Sequence, residues 1–257
     1  MKCMEEPNMK KLKSPFFFAL SMMPLMTVAG LISFFYQYGI MKETLDQAAA
    51  QLGGLPILIL GGLLQTLIIF FIACFFGWIL SRKLGLSMEL RFEKKPVILS
   101  LGLAFLVAVF LLADCLTTGR ICPAIVEANR AGQNLLGIAA GIIYGGIAEE
   151  LLMRLFLMNL LAFLMWKLFA KKASAAPRWV LVTANILAAV LFAAGHLPAT
   201  VGIFGGLTPI LILRCFFLNG IGGIFFGWLY QHHGLSYAML SHMFSHIFFK
   251  ILFALFF

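Results

Sequence analysis

The chain of 257 residues is poor in charge and poorest in acid: Asp, Glu, Lys and Arg make up 11% of it, and only 10 residues are acidic. Soluble domains carry about a quarter of their residues charged, so an ordinary water-facing globular surface is excluded. Cysteine is also scarce, with five in the chain and no Cys-x-x-Cys spacing, which removes zinc-ribbon and thioredoxin-type readings. Cys74 and Cys215 fall in apolar runs and read as packing residues. Cys115 and Cys122 flank a polar connection and could pair if it faced an oxidising compartment. There is no low-complexity tract, no internal repeat and no stretch that reads as a soluble domain. No strand precedes Gly220, Gly222, Gly223 and Gly227, which therefore read as helix-packing positions and not as a phosphate loop.

What is present is apolar: 62% of the residues are hydrophobic and 27 are Phe. This composition belongs to polytopic membrane proteins. The expected fold is all-α, a membrane bundle of seven to eight transmembrane helices in one membrane domain. A basic tail and three spans occupy 1–134, and a helical core occupies 135–257. The first run, from Phe16 to about Tyr36, is too long for a signal-peptide core and reads as a retained span. Further spans are expected at 54–80 and from Pro96 to near Asp114. The stretch 135–169 is too long for one perpendicular span and is either one tilted helix or two pieces broken near the glycines. A span from Trp179 should end at His196, before Pro198, and runs at 201–218, 219–231 and 235–257 complete the bundle. His232 and His233 read as a solvated interfacial loop.

A net charge of +9 would suit a nucleic-acid partner, but the basic residues gather in short clusters beside apolar runs. Lys2, Lys10, Lys11 and Lys13 precede the first span; Arg82, Lys83, Arg91, Lys94 and Lys95 follow the second; Lys167, Lys171, Lys172 and Arg178 follow the fourth. With spans between them in pairs, these clusters share one side, and the positive-inside rule predicts a cytoplasmic N-terminus. No nucleic-acid partner is expected; the lipid bilayer is.

The polar residues inside the apolar runs are the informative ones. In Gly137 to Leu157, Glu149, Glu150 and Arg154 interrupt an otherwise apolar helix, where an ionisable group must be paired, neutralised or used. Glu150 and Arg154 stand at i and i+4, acid first, as a pair. Glu149 points about 100° away, on the face of Gly137, Gly141 and Gly145, a small-residue stripe that admits another helix. Three histidines lie in or at the ends of other apolar runs: His196, His242 and His246. The last two, at i and i+4, can grip one metal or address one oxygen. Ser241 and Ser245 beside them are small enough for close helix approach. A lone intramembrane histidine often does no more than hydrogen-bond a neighbouring helix, and the two acids could be structural with Arg154. An acid and three imidazoles in separate spans are satisfied together, however, by one shared cavity.

Glu149-Glu150-Leu-Leu-Met-Arg154 fits E-E-x-x-x-R, Phe192-x-x-x-His196 fits F-x-x-x-H, and His242 opens a third motif ending at His246. In this order they resemble the CPBP intramembrane proteases, the family of the CAAX prenyl endopeptidase and the Abi bacteriocin-immunity proteins, over roughly 134–250. The resemblance implies an endopeptidase in which Glu149, with His196, activates a water for attack on a peptide carbonyl. It implies that His242 and the residue at 246 steady the oxyanion or hold a metal, and that Glu150 and Arg154 support them. If a metal is used, Glu149, His196, His242 and His246 would suit zinc. The implied partner is a membrane-associated peptide or protein, with a prenylated C-terminus, a peptide precursor and a membrane-protein tail all open. The implied location is the plasma membrane of a bacterium. Two positions depart from the family pattern: His246 stands where Asn or Asp is usual, and Leu155 where Gly is common. The first leaves a non-catalytic immunity or scaffold protein as an alternative. A proton-coupled transporter is a further one, although its polar residues should be strung across the bilayer and these cluster.

Overall fold

The computed structural model describes residues 14–89 and 92–257; Lys2, Lys10, Lys11, Lys13 and Arg91 lie outside them. The described residues form helices and no strand. Helices satisfy every backbone polar group within their own segment, which hydrocarbon demands. In chain order they are α1 (Pro15–Ile40), α2 (Lys42–Leu52), α3 (Leu55–Leu84), α4 (Lys94–Ile121), α5 (Ala124–Ala131), α6 (Leu135–Phe169), α7 (Arg178–Gly195), α8 (Leu197–Phe204), α9 (Pro209–His233) and α10 (Leu235–Phe256). Among the described residues, seven segments are long and apolar enough to cross a membrane: α1, α3, α4, α6, α7 continued by α8, α9 and α10. Their outer faces are apolar as well; Leu60, Leu64 and Leu213 are 65%, 61% and 70% exposed, as expected of side chains that meet lipid tails.

The stretch 135–169 is one continuous helix with the largest buried share of the seven spans, 44% of its apolar window. Around it gather Phe70 and Cys74 of α3, Ala184 and Ala188 of α7, Phe226 and Tyr230 of α9 and Ala238 of α10. Between Ala140 and Met158 it is π-helical, interrupted at Glu150. This i→i+5 bonding is rare, and it widens the turn and swings side chains off α-helical register. At Leu155 the departure from the family pattern is accommodated across the interface. A Cβ on Gly77 of α3 would lie 2.7 Å from the Leu155 carbonyl oxygen and 2.8 Å from its Cγ, so glycine there lets the buried Leu155 fit.

The span from Trp179 ends at His196 as expected, α7 closing at Gly195 with His196 as its cap; Pro198 then occupies the first turn of the short α8, where its missing N–H is no loss. Two expectations need correction. The runs expected at 201–218 and 219–231 are divided elsewhere. Gly205, with φ of +74°, ends α8 in the left-handed region, and Thr208 caps a single α9 from Pro209 to His233 by accepting from the Leu211 N–H. His232 and His233 are thus the last turn of α9 and not a loop, with His232 stacked on Trp228. Cys115 and Cys122, whose pairing the sequence left open, are both free, and Cys115 is buried.

Of the four glycines read as packing positions, two are tightly held: a Cβ on Gly223 would lie 3.0 Å from that of Ala189, and one on Gly227 would overlap Asn185 Oδ1. Those contacts join α9 to α7. Gly220 meets nothing and Gly222 only ordinary neighbours.

The connections tie the helix ends into two layers. At one end Ser87 accepts from the Leu235 N–H at 3.0 Å, and the Glu93 N–H donates to the Tyr237 hydroxyl at 2.8 Å. At the other, Lys250 donates to the Gly132 carbonyl and Arg130 to the Phe257 carbonyl. Arg82, Lys83, Lys94 and Lys95 fall at the same end of the bundle as the basic segment 167–178, because α4 and α6 traverse it in opposite senses between them.

Candidate active site

Glu149 and Glu150 come from the middle of α6, His196 from the junction of α7 and α8, and His242 and His246 from α10. Three tertiary contacts converge on the acids. His196 Nε2 lies 3.9 Å from Glu149 Oε1, His242 Nε2 lies 3.9 Å from Glu149 Oε2, and His242 Nδ1 lies 2.8 Å from Glu150 Oε1. The expected division, with one acid for Arg154 and the other for a packing seam, is therefore incomplete. Both acids meet His242, one at each ring nitrogen. Two nitrogens on opposite edges of an imidazole can serve two side chains that diverge from one helix.

The second ring nitrogen of each histidine settles what the first can do. His196 Nδ1 lies 2.8 Å from the Phe192 carbonyl oxygen; a carbonyl only accepts, so Nδ1 carries the proton and donates. Glu150 is fully buried beside Arg154, whose Nε is 3.2 Å from Glu150 Oε2. A buried guanidinium requires an ionised partner, and a carboxylate only accepts, so His242 Nδ1 donates as well. Each neutral ring therefore turns a lone pair at Nε2 toward Glu149, and each protonated ring turns an N–H there. The 3.9 Å separations exceed a direct hydrogen bond and match the span of a bridging oxygen.

Arg154 is held on three sides. Besides Glu150, its Nη2 donates to the Gly223 carbonyl at 2.8 Å, and its guanidinium carbon lies 5.4 Å and 5.7 Å from the Phe192 and Phe226 ring centroids. Aromatic faces over a desolvated cation are favourable. The same two rings position the histidines: Phe226 stacks on His242 at 4.5 Å and Phe192 meets His196 edge-on at 4.5 Å. Phe192 is legible in the F-x-x-x-H motif. Phe226 is not, because one Phe among 27 carries no local signal. Asn159, fully buried, also escapes a linear reading; it donates to the Leu155 carbonyl and the Tyr230 hydroxyl and fixes α6 against α9.

His246 does not join the ion pairs around Glu149 among the described residues. Its ring stacks on His242 at 5.1 Å and 19°, and its other side lies on the glycine stripe. A Cβ on Gly141 would stand 2.8 Å from His246 Cγ, and one on Gly145 would stand 2.7 Å from His246 Nε2. The stripe thus admits α10, except that Gly137 faces Gly132 and Tyr36 instead. Gly145→Ala is expected to push His246 off its seat, destabilising the protein by about 1–3 kcal/mol with a clear loss of turnover. Thermal unfolding and single-turnover assays measure the two effects.

A metal would need at least three converging donors, and no group of three or more His, Cys, Asp or Glu side chains among the described residues is arranged to hold one. Two imidazole nitrogens and a carboxylate lie at hydrogen-bonding-through-water separations, and His246 stands behind His242. The set as arranged does not fit zinc, and no step below is routed through a metal.

These features define an integral, multi-pass helical membrane protein with a glutamate–histidine cluster enclosed by its spans. Residues 131–248 match the model of the family described as Type II CAAX prenyl endopeptidase Rce1-like. Over that stretch the chain is similar to this family of CAAX-type proteases. No curated protein and no solved structure matches the chain.

Proposed function

We propose that the protein is an intramembrane endopeptidase in which Glu149 and His196 activate a water and His242 stabilises the oxyanion. The observation that carries this reading is the pair of 3.9 Å approaches of two tautomerically fixed imidazoles to the two oxygens of one carboxylate. A water between Glu149 and His196 gives its proton to the carboxylate as its oxygen attacks the peptide carbonyl carbon. The negative charge that develops on the carbonyl oxygen is met by the Nε2–H of protonated His242, whose positive charge Glu150 compensates through Nδ1. The C–N bond then breaks, and the proton held by Glu149 passes to the leaving amine, so protons balance over the cycle. His246, stacked on His242, keeps that ring in place.

The substrate class follows the family's printed activity: a membrane-associated peptide or protein, with a prenylated C-terminal cysteine motif as the first to test. The location is the plasma membrane of a bacterium, with the N-terminus and the basic segments 82–95 and 167–178 on the cytoplasmic side. Purified protein in liposomes is expected to cleave a farnesylated peptide, or a member of a membrane-peptide library, at the same rate before and after treatment with a strong chelator. Activity abolished by the chelator and restored by zinc would overturn the metal-free mechanism. Intact peptides throughout, with biological function retained, would replace the enzyme by the scaffold reading.

A further inference from the structure

A second, part-buried ion pair stands apart from the glutamate–histidine cluster. Asp114 lies seven residues before the end of α4 and Arg214 five residues after the start of α9. Both are therefore within about 11 Å of the same end of the bundle, the end opposite the 85–93 connection. Arg214 Nε donates to Asp114 Oδ2 at 2.6 Å, and the two side chains are 19% and 8% exposed. Among the described residues no other hydrogen bond or ion pair engages Arg214, which leaves the two terminal nitrogens of its fork. Arg214 lines a cavity of about 460 Å³ between α4 and α9, with Phe110, Ala113, Ile210, Leu213 and Phe217 among its walls. Leu213 and Phe217 are 70% and 58% exposed, so the cavity edge lies on the outer, lipid-facing surface.

We propose that this cavity binds one anionic phospholipid, with the phosphate on the terminal edge of the Arg214 guanidinium and an acyl chain against Phe110, Leu213 and Phe217. The volume suits part of a lipid-sized ligand. Asp114 takes the Nε side of the guanidinium and fixes its plane, which leaves the outer edge for bidentate contact with a phosphate. The depth, about two turns below the helix ends, is where a lipid headgroup meets its chains. A soluble anion lacks the apolar half that the walls ask for. Asp114 makes the site neutral before binding, so it selects a ligand that brings apolar area together with its charge, and not any passing anion.

The test uses the full chain, purified, delipidated and returned to phosphatidylcholine nanodiscs with increasing phosphatidylglycerol, read by thermal midpoint and by lipid retained in native mass spectrometry. One phosphatidylglycerol is expected to be retained in preference to phosphatidylcholine, with a raised midpoint. Arg214→Gln should weaken that retention roughly tenfold or more. Ala113→Trp, which fills the cavity and leaves the ion pair alone, should do the same. Equal retention of the two lipids by the native protein, or an unchanged preference in Ala113→Trp, would overturn the assignment. So would inorganic phosphate raising the midpoint as much as the lipid does. If Arg214→Gln does not fold, the Ala113→Trp result decides.

Discussion

Glu149→Gln is expected to abolish peptide cleavage, by about a thousandfold or more, while the protein remains folded and extracts from the membrane as the native protein does. The amide keeps the volume of the carboxyl, and no direct hydrogen bond to either histidine is lost because both stand 3.9 Å away, so packing around its part-exposed side chain is undisturbed. What it loses is the ability to take a proton from water. The effect on stability should stay below about 1 kcal/mol, because no buried charge loses its partner. Glu149→Asp serves as the companion variant: the base is retained but withdrawn by one methylene, so measurable activity should survive at a rate one to three orders of magnitude lower. Single-turnover cleavage in liposomes separates these outcomes from changes in substrate binding. Full activity in Glu149→Gln would remove the glutamate from the mechanism. Proton flux into proteoliposomes that vanishes with the same substitution would point to transport.

Glu150→Ala should act differently, through the fold as well as the chemistry. It strands the Arg154 guanidinium in the bundle and leaves His242 Nδ1 without its acceptor, since Glu150 serves both at 3.2 Å and 2.8 Å. Breaking a buried pair from one side costs about 3–5 kcal/mol. Unfolding in mixed micelles should therefore register a large drop in stability, together with loss of cleavage. The double variant Glu150→Leu with Arg154→Met removes both charges and should recover most of the stability, because well-packed apolar side chains replace a buried pair at little loss. It should remain inactive, since His242 still lacks the group that orients it and compensates its charge. Recovery of activity in the double variant would show that Glu150 has no part beyond pairing with Arg154. The two acids, adjacent in the chain, are thus separable: one variant loses turnover with stability intact, and the other loses both.

The positions that were legible in the sequence share a property: their meaning is local or periodic. The spans follow from unbroken apolar length, and the Glu150–Arg154 pair follows from i,i+4 spacing and is present at 3.2 Å. The approach of α10 onto Gly141 and Gly145 follows from a small-residue stripe. The stop at His196 before Pro198 is legible too, whereas the division of 201–231 is not, because its break rests on one left-handed glycine and one threonine cap. In the first turn of α8 Pro198 is a start, and Gly205 with Thr208 marks the actual break.

The sequence alone determined that the chain is a polytopic helical membrane protein, which residues in its spans are ionisable, and the order of its three motifs. Only the tertiary structure decided that Glu149 and Glu150 address the two nitrogens of one histidine, that His246 stands behind that ring, and that Phe226 and Gly223 secure Arg154. The reason is the solvent. In lipid the outward and inward faces of a helix are almost equally apolar, so hydrophobic patterning does not say which face meets which neighbour. Those contacts are chosen by close packing of small residues and by the pairing of a few buried polar groups, and both depend on helices far apart in the chain.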